Sequence, residues 1–327
     1  MDLREKVAVV IIGRNEGSRL VRCLQSLTVQ APQLVYVDSG STDDSVNVAH
    51  NAGAVVVALD MTVPFTAARA RNEGFEKIRK LYPLAEYVQF VDGDCEVASV
   101  WLKSAVDFLD DHHSVAAVCG RRSERFPEKT IYNLLCDMEW DTPVGETRAC
   151  GGDVLMRMNV FESLHGFRPD LIAGEEPELC VRLRAKGWKI WRLDQEMTLH
   201  DAEMTKFSQW WKRSMRAGHA FAEGVHLHGE PPECHWALES RRVWIWGLVI
   251  PVAILLTSLA SFKLSAFIML IYPLQIIRLG VRNDPHDKKK WIRAVFLVLG
   301  KFPEMLGQLK FYQHLWSGKQ GRLIEYK

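Results

Sequence analysis

The stretch EYVQFVDGDCEV, residues 86–97, decides how the rest of the chain is read. Residues 87–91 form an apolar run of strand length. Two carboxylates, Asp92 and Asp94, follow at once on a turn built around Gly93. In open α/β sheets, ligands bind in the crevice beyond the carboxyl ends of the strands. Carboxylates placed there can share a divalent cation with a diphosphate, because Mg²⁺ is usually held by one or two carboxylates plus phosphate oxygens. The pattern points to chemistry in which a nucleoside diphosphate leaves. Aspartate and glycine are also ordinary turn residues, so the reading depends on what surrounds them.

Upstream the pattern is one of strands alternating with helices. Residues 7–12 read as a buried strand, 17–27 as a helix with Leu20, Leu24 and Leu27 inward, and 34–37 as a second strand. Residues 45–52 read as a second helix and 54–59 as a third strand. Such alternation implies parallel βαβ units. Asp38 stands at the end of the second strand, where a carboxylate can accept a uracil imide N–H or a ribose hydroxyl. Asp43 suits capping of the next helix. Neither G-x-G-x-x-G nor G-x-x-x-x-G-K-[ST] occurs, which removes the dinucleotide and P-loop readings.

The chain has 327 residues and a formal net charge of +1. That length suits one large domain plus an appendage, and the charge gives no electrostatic case for nucleic acid. Seven cysteines are scattered without a C-x-x-C pair. That spacing fits neither a zinc motif nor a disulfide framework, and free thiols suit a reducing compartment. The catalytic part is therefore expected in the cytoplasm.

The apolar residues are unevenly spread. Residues 243–281 carry two charges, Lys263 and Arg278. A helix across the bilayer core needs about 20 residues, and this stretch is about twice that. It reads as a hairpin of two helices, 243–260 and 264–281, each with one proline, Pro251 and Pro273. Arg241, Arg242, Arg278, Arg282 and Lys288 to Lys290 flank it, which puts both ends in the cytoplasm. A buried helical pair or a re-entrant hairpin is the alternative. Residues 291–316 read as an amphipathic helix in the membrane interface bent at Pro303, or as a third packing helix. The expected division is 1–240 for the α/β domain and 241–327 for the membrane part.

Six stretches together resemble a family 2 glycosyltransferase of the GT-A fold. They are VAVVIIGRNE from Val7, VDSGSTDDS from Val37, AARARNEGF from Ala67, VDGD from Val91, CGGDVLMRMNVFESLHGF from Cys150 and GEEPELCVRLRAKGW from Gly174. The resemblance covers about residues 5–225 and matches the bacterial, membrane-associated type that builds polysaccharides. It implies an α/β fold with a mixed, mostly parallel sheet, a nucleotide-sugar donor (UDP-linked), a Mg²⁺ or Mn²⁺ ion, and inversion at the anomeric carbon. It also implies that Asp38 contacts the nucleoside and that Arg71 lies near the base or diphosphate. Asp92 would contact ribose or metal, and Asp94 would be a metal ligand. His200, in TLHDAEM, falls where some members supply a further metal ligand.

Gly174-Glu175-Glu176-Pro177 resembles the family's E-D motif at a helix start. Pro177 suits a first turn, and acidic side chains there meet the positive helix end. Glu176 replaces the usual aspartate as general base, with Glu175 as the neighbouring alternative. Residues 207–221 hold Trp210 and Trp211, which can stack on an acceptor sugar. Arg213 and Arg216 there can pair with a lipid pyrophosphate; a solvated amphipathic helix is the other reading. The sum is an inner-membrane hexosyltransferase that extends a lipid-linked saccharide at its cytoplasmic face. Transfer to polyprenyl phosphate and sugar nucleotidyl transfer are the rivals.

Overall fold

A computed structural model describes residues 2–284 and 286–318. Nine strands form one sheet: β1 Val7–Gly13, β2 Leu34–Asp38, β3 Val55–Ala58, β4 Tyr87–Asp92, β5 Cys95–Val97, β6 Val115–Glu124, β7 Gly145–Glu146, β8 Val154–Arg157 and β9 Lys189–His200. Their order is β3-β2-β1-β4-β8-β6-β9-β5, with β7 beside β9. β3, β2, β1 and β4 are parallel. β8 runs antiparallel between β4 and β6, and β6 and β9 are parallel. This is the expected mixed α/β sheet.

Every residue of β1 before Gly13 is buried, as are all of β2. Strands covered on both faces read as continuous apolar runs, which is why they were visible in the sequence. The helix Ala67–Leu81 lies on β1 through Gly74, where a Cβ would stand 2.4 Å from Val10 Cγ1. Only a glycine lets the helix backbone approach the strand's side chains so closely.

Close contacts divide the chain into two units: Met1–Pro127 with Cys136–Glu203, and Glu128–Leu135 with the chain from Met204 on. The division falls earlier than the expected 240. The helix Phe207–His228 belongs with the later helices because it packs on the helix Lys301–Ser317. A Cβ on Gly218 would lie 1.9 Å from Glu304 O, and one on Gly307 1.9 Å from Met215 O. Each glycine is a notch for the other helix's backbone.

The apolar region forms two helices long and apolar enough to cross a membrane, Ala237–Ala260 and Phe262–Arg282. Leu259, Phe262 and Phe267 are 82%, 81% and 73% exposed, which does not fit a buried helical pair. A π-helical turn, Ile245–Val249, comes just before Pro251. Such a turn accommodates a residue that cannot donate into the helical ladder.

Residues 291–316 are two helices, Lys288–Leu299 and Lys301–Ser317. The break is at Gly300 rather than the expected Pro303. Pro303 sits in the first turn of the second helix, where its missing N–H has no intrahelical partner to lose. Residues 319–327, the end of the expected membrane part, lie outside the described residues.

Gly307→Leu should separate the helices Phe207–His228 and Lys301–Ser317. Overpacking of this kind costs roughly 1–3 kcal/mol, and here the obstacle is backbone. The expected result is a lower melting temperature in detergent and faster proteolysis after Met204. A variant as stable as the parent contradicts the notch.

Candidate active site

Sheet register assembles the site. Gly13 pairs with Asp38 across β1 and β2, and Ile12 pairs with Asp92 across β1 and β4. The chain leaves three neighbouring strands at one level, and two carboxylates stand on that rim. The loops are stitched together: Asn15 Oδ1 accepts from Thr42 N at 2.7 Å, and Ser41 Oγ from Asn15 N at 2.9 Å. Asp38 Oδ2 accepts from Gly40 N and Ser41 N at 3.0 and 2.9 Å. Its Oδ1 is 3.3 Å from the Tyr36 hydroxyl. Asp43 accepts from Ser45 N, the first residue of the next helix, and from Gly17 N, so it joins two loops; the N-cap position itself is Asp44 rather than the expected Asp43.

Arg71 is the centre of the cluster. It is 3% exposed, donates from Nη2 to Asp92 Oδ1 and from Nη1 to Glu175 Oε1, both at 2.7 Å. Gly152 leaves room for it, since a Cβ there would lie 2.6 Å from Arg71 Nη2. Arg122 reaches the other side of Asp92 at 3.4 Å and Asp153 at 3.4 Å, with its guanidinium over the Trp140 ring. Asp153 accepts from Asp92 N at 3.0 Å and from Thr198 Oγ1 at 2.8 Å. Burial works against charge on Asp92, but Arg71 and Arg122 outweigh it and hold its carboxyl below the usual range. Burial likewise opposes charge on both arginines, and the surrounding carboxylates raise their pKa above normal. The buried Nε–H of each arginine has no acceptor among the described residues. Two such donors beside a strand-end rim suit an anionic ligand.

Asp94 and His200 come together from different strands' ends. Cys95 pairs with His200 across β5 and β9, which brings His200 Nε2 to 3.3 Å from Asp94 Oδ2. Its Nδ1 is 3.5 Å from Glu124 Oε2, and the ring stands edge-on to Trp140. Asp94 and His200 are both buried, and Cys95 completes a group whose ligand atoms lie within 4.8 Å of one another. Carboxylate plus imidazole is a donor set that a first-row divalent cation accepts, so these residues fit the expected metal. Asp92 has both oxygens facing arginines, and it also belongs to a further candidate group with Cys95 and Asp153.

Glu175 and Glu176 open the helix Glu175–Ala185, after Gly174 in the left-handed conformation at φ 83°. Glu175 is committed to Arg71. Glu176 Oε1 accepts from Cys150 N at 2.6 Å, Cys150 Sγ at 3.0 Å and Cys180 Sγ at 2.9 Å.

Residues 8–157 match the model of glycosyl transferase family 2. The chain thus carries a glycosyltransferase domain of family 2. It is 23% identical over 218 residues to the O-antigen chain rhamnosyltransferase RfbN of Salmonella typhimurium, which covers 61% of this chain and 68% of that protein. It is 24% identical over 180 residues to the O-antigen chain rhamnosyltransferase WbaN of Salmonella anatum, covering 51% and 55%. Among solved structures, the mannosyltransferase PcManGT from Pyrobaculum calidifontis, in complex with GDP-Man and Mn²⁺, superposes with a TM-score of 0.63. It is 17% identical and covers 93% of this chain and 87% of that one. That likeness gives the transferase its GT-A fold.

Of the residues singled out in the sequence, Asp38, Arg71, Asp92, Asp94, Glu175, Glu176 and His200 lie in the first unit. Trp210, Trp211, Arg213 and Arg216 lie in the second. Trp210 is buried and its ring meets Phe296 edge-on at 4.8 Å, so it serves packing rather than an open stacking face. Arg122 and Asp153 were missed. Asp153 lies within the CGGD stretch that carried the resemblance, and a buried aspartate beside two glycines was the available signal.

Asp153→Ala should leave Asp92 N–H without its acceptor and the buried Arg122 guanidinium with its contact to Asp92 but not to Asp153. Breaking a buried ion pair by removing one member costs about 3–5 kcal/mol. Chemical unfolding checks this, and an unchanged midpoint would remove Asp153 from the supporting lattice.

Proposed function

We propose that this transferase moves a sugar, with inversion and with a divalent cation, from a nucleotide sugar to a hydroxyl of a lipid-linked saccharide. The donor is expected to be UDP-linked, and the rhamnosyltransferase relatives add a 6-deoxyhexosyl donor as the second to screen. The observation that carries the reading is the Arg71 bridge. One side chain binds Asp92 at the nucleotide rim and Glu175 at the acidic helix start, both at 2.7 Å.

Asp94 and His200 would hold the cation, which when bound supplies positive charge to the departing diphosphate. Arg71 and Arg122 carry buried Nε–H donors that would meet the same charge, and donors fixed before reaction stabilise it without reorganisation cost. Asp38, at the end of β2, would meet the nucleoside. Glu176 takes the acceptor's hydroxyl proton. The freed oxygen bonds to the anomeric carbon as the sugar–phosphate bond breaks, and the electron pair leaves with the diphosphate. Among the described residues the hydrogen bonds of Glu176 fall on Oε1, and its Oε2 would take the acceptor proton. Glu175 is occupied by Arg71, which favours Glu176 as base.

Two exposed apolar helices with basic residues at both flanks support attachment to the inner membrane with the catalytic unit on the cytoplasmic side. The O-antigen relatives support an acceptor destined for a surface polysaccharide. Full-length chain should need detergent for release from the membrane fraction. Recovery in the soluble fraction without detergent contradicts the attachment.

Glu176→Gln keeps size and removes the base. Transfer should fall by about two to four orders of magnitude, the usual scale for a general base, with nucleotide binding kept. If only Glu175→Gln is damaging, the base is the neighbour. If neither matters, a phosphate acceptor that needs no base is the better account. Separately, Asp94→Ala should abolish Mn²⁺-dependent nucleotide binding in calorimetry, and His200→Ala should weaken it less. Undiminished binding in the first variant takes Asp94 out of the metal site.

A further inference from the structure

We propose that Cys150, Glu176 and Cys180 form a binding site for a thiophilic divalent cation of the Zn²⁺ kind, separate from the Asp94–His200 pair. The spacing of the cysteines gave no hint of it, since thirty residues of fold separate the two. In the structure their sulfurs are 3.6 Å apart. Two sulfurs bound to one Zn²⁺ at about 2.3 Å, at a tetrahedral angle, stand about 3.8 Å apart. Glu176 Oε1 completes the triangle, 3.0 Å from Cys150 Sγ and 2.9 Å from Cys180 Sγ. These three atoms converge from two segments. Glu176 and Cys180 lie one turn apart on one face of the helix Glu175–Ala185, and Cys150 comes from the loop before β8.

The donor set is selective. Two sulfurs suit Zn²⁺ and disfavour Mg²⁺, whose preference is for oxygen. Three protein ligands leave a fourth position for water, the ligand count of an open zinc site. The Cys150 N–H bond to Oε1 at 2.6 Å holds the carboxylate in place before any cation arrives. Binding releases the thiol protons to solvent. The consequence for activity rests on the reading of Glu176 as base: a carboxylate bound to a cation no longer takes a proton, so occupancy stops sugar transfer. A thiol pair that only donates hydrogen bonds to Glu176 is the competing account.

The test uses full-length protein in detergent, stripped of metal and held in excess Mg²⁺. It is titrated with Co²⁺ and then with Zn²⁺ in competition. The wild type should show a thiolate-to-cobalt absorption band and, by equilibrium dialysis, one equivalent of Zn²⁺ more than Cys150→Ser/Cys180→Ser. Cys95→Ser should keep the band, because the two groups that contain Cys95, one with Asp94 and His200 and one with Asp92 and Asp153, are not its source. Glu176→Gln should weaken binding while the protein stays folded, which keeps the test open if the double variant unfolds. Absence of the band in the wild type, or its survival in the double variant, overturns the proposal. Zn²⁺ binding without loss of transfer supports the site and instead overturns Glu176 as the base.

Discussion

The site depends on one buried cation. Arg71 gives up almost all contact with water and is held by Asp92 on one side and Glu175 on the other. An unpaired charge in that position would be prohibitive, and the paired one is tolerable only while both carboxylates stay. The three residues come from the helix Ala67–Leu81, from the end of β4 and from the start of the helix Glu175–Ala185. The electrostatic requirement of one side chain therefore fixes the mutual position of three elements. Arg122 and Asp153 repeat the device on the other side of Asp92. The outcome is a rim in which charge is already arranged before a ligand arrives.

The sheet supplies the accuracy. A strand slipped by one residue would turn every side chain to the opposite face. The burial of β1 on both sides and the Gly74 contact with Val10 fix the register that aligns Asp38 and Asp92. The positions of the rim carboxylates are thus consequences of apolar packing two or three residues away. The family 2 domain and the sheet order agree on glycosyl transfer, and the charge lattice supports the proposal that the sugar leaves a diphosphate.

Much of this was legible in the sequence where the signal is local. β1, β2 and β4 are short apolar runs ending in turn residues, and the two exposed apolar helices are a matter of length and composition. Asp38, Asp92 and Asp94 follow their strands directly. His200 was visible only through resemblance, because its neighbour Asp94 is brought to it by β5 pairing with β9. Arg122 lies late in a bulged ten-residue strand, and nothing near it in the chain marks it as an active-site cation. Pro303 was misread as a bend because proline breaks helices in their interior but not in a first turn, and Gly300 makes the break instead. The Cys150–Cys180 contact was invisible for the same reason as His200: the pairing is made by the fold and not by spacing.

The central claim is that Arg71 and Asp92 act as one unit in holding the nucleotide. A double-mutant cycle tests it directly, with Arg71→Gln, Asp92→Asn and the pair, each measured for nucleoside diphosphate affinity in Mn²⁺. Groups in one ion-pair network couple by about 0.5–3 kcal/mol, whereas independent sites add within about 0.3–0.5 kcal/mol. The account predicts coupling above 1 kcal/mol, near the middle of that first range. Additive losses, or a double variant that binds as well as the parent, would contradict it.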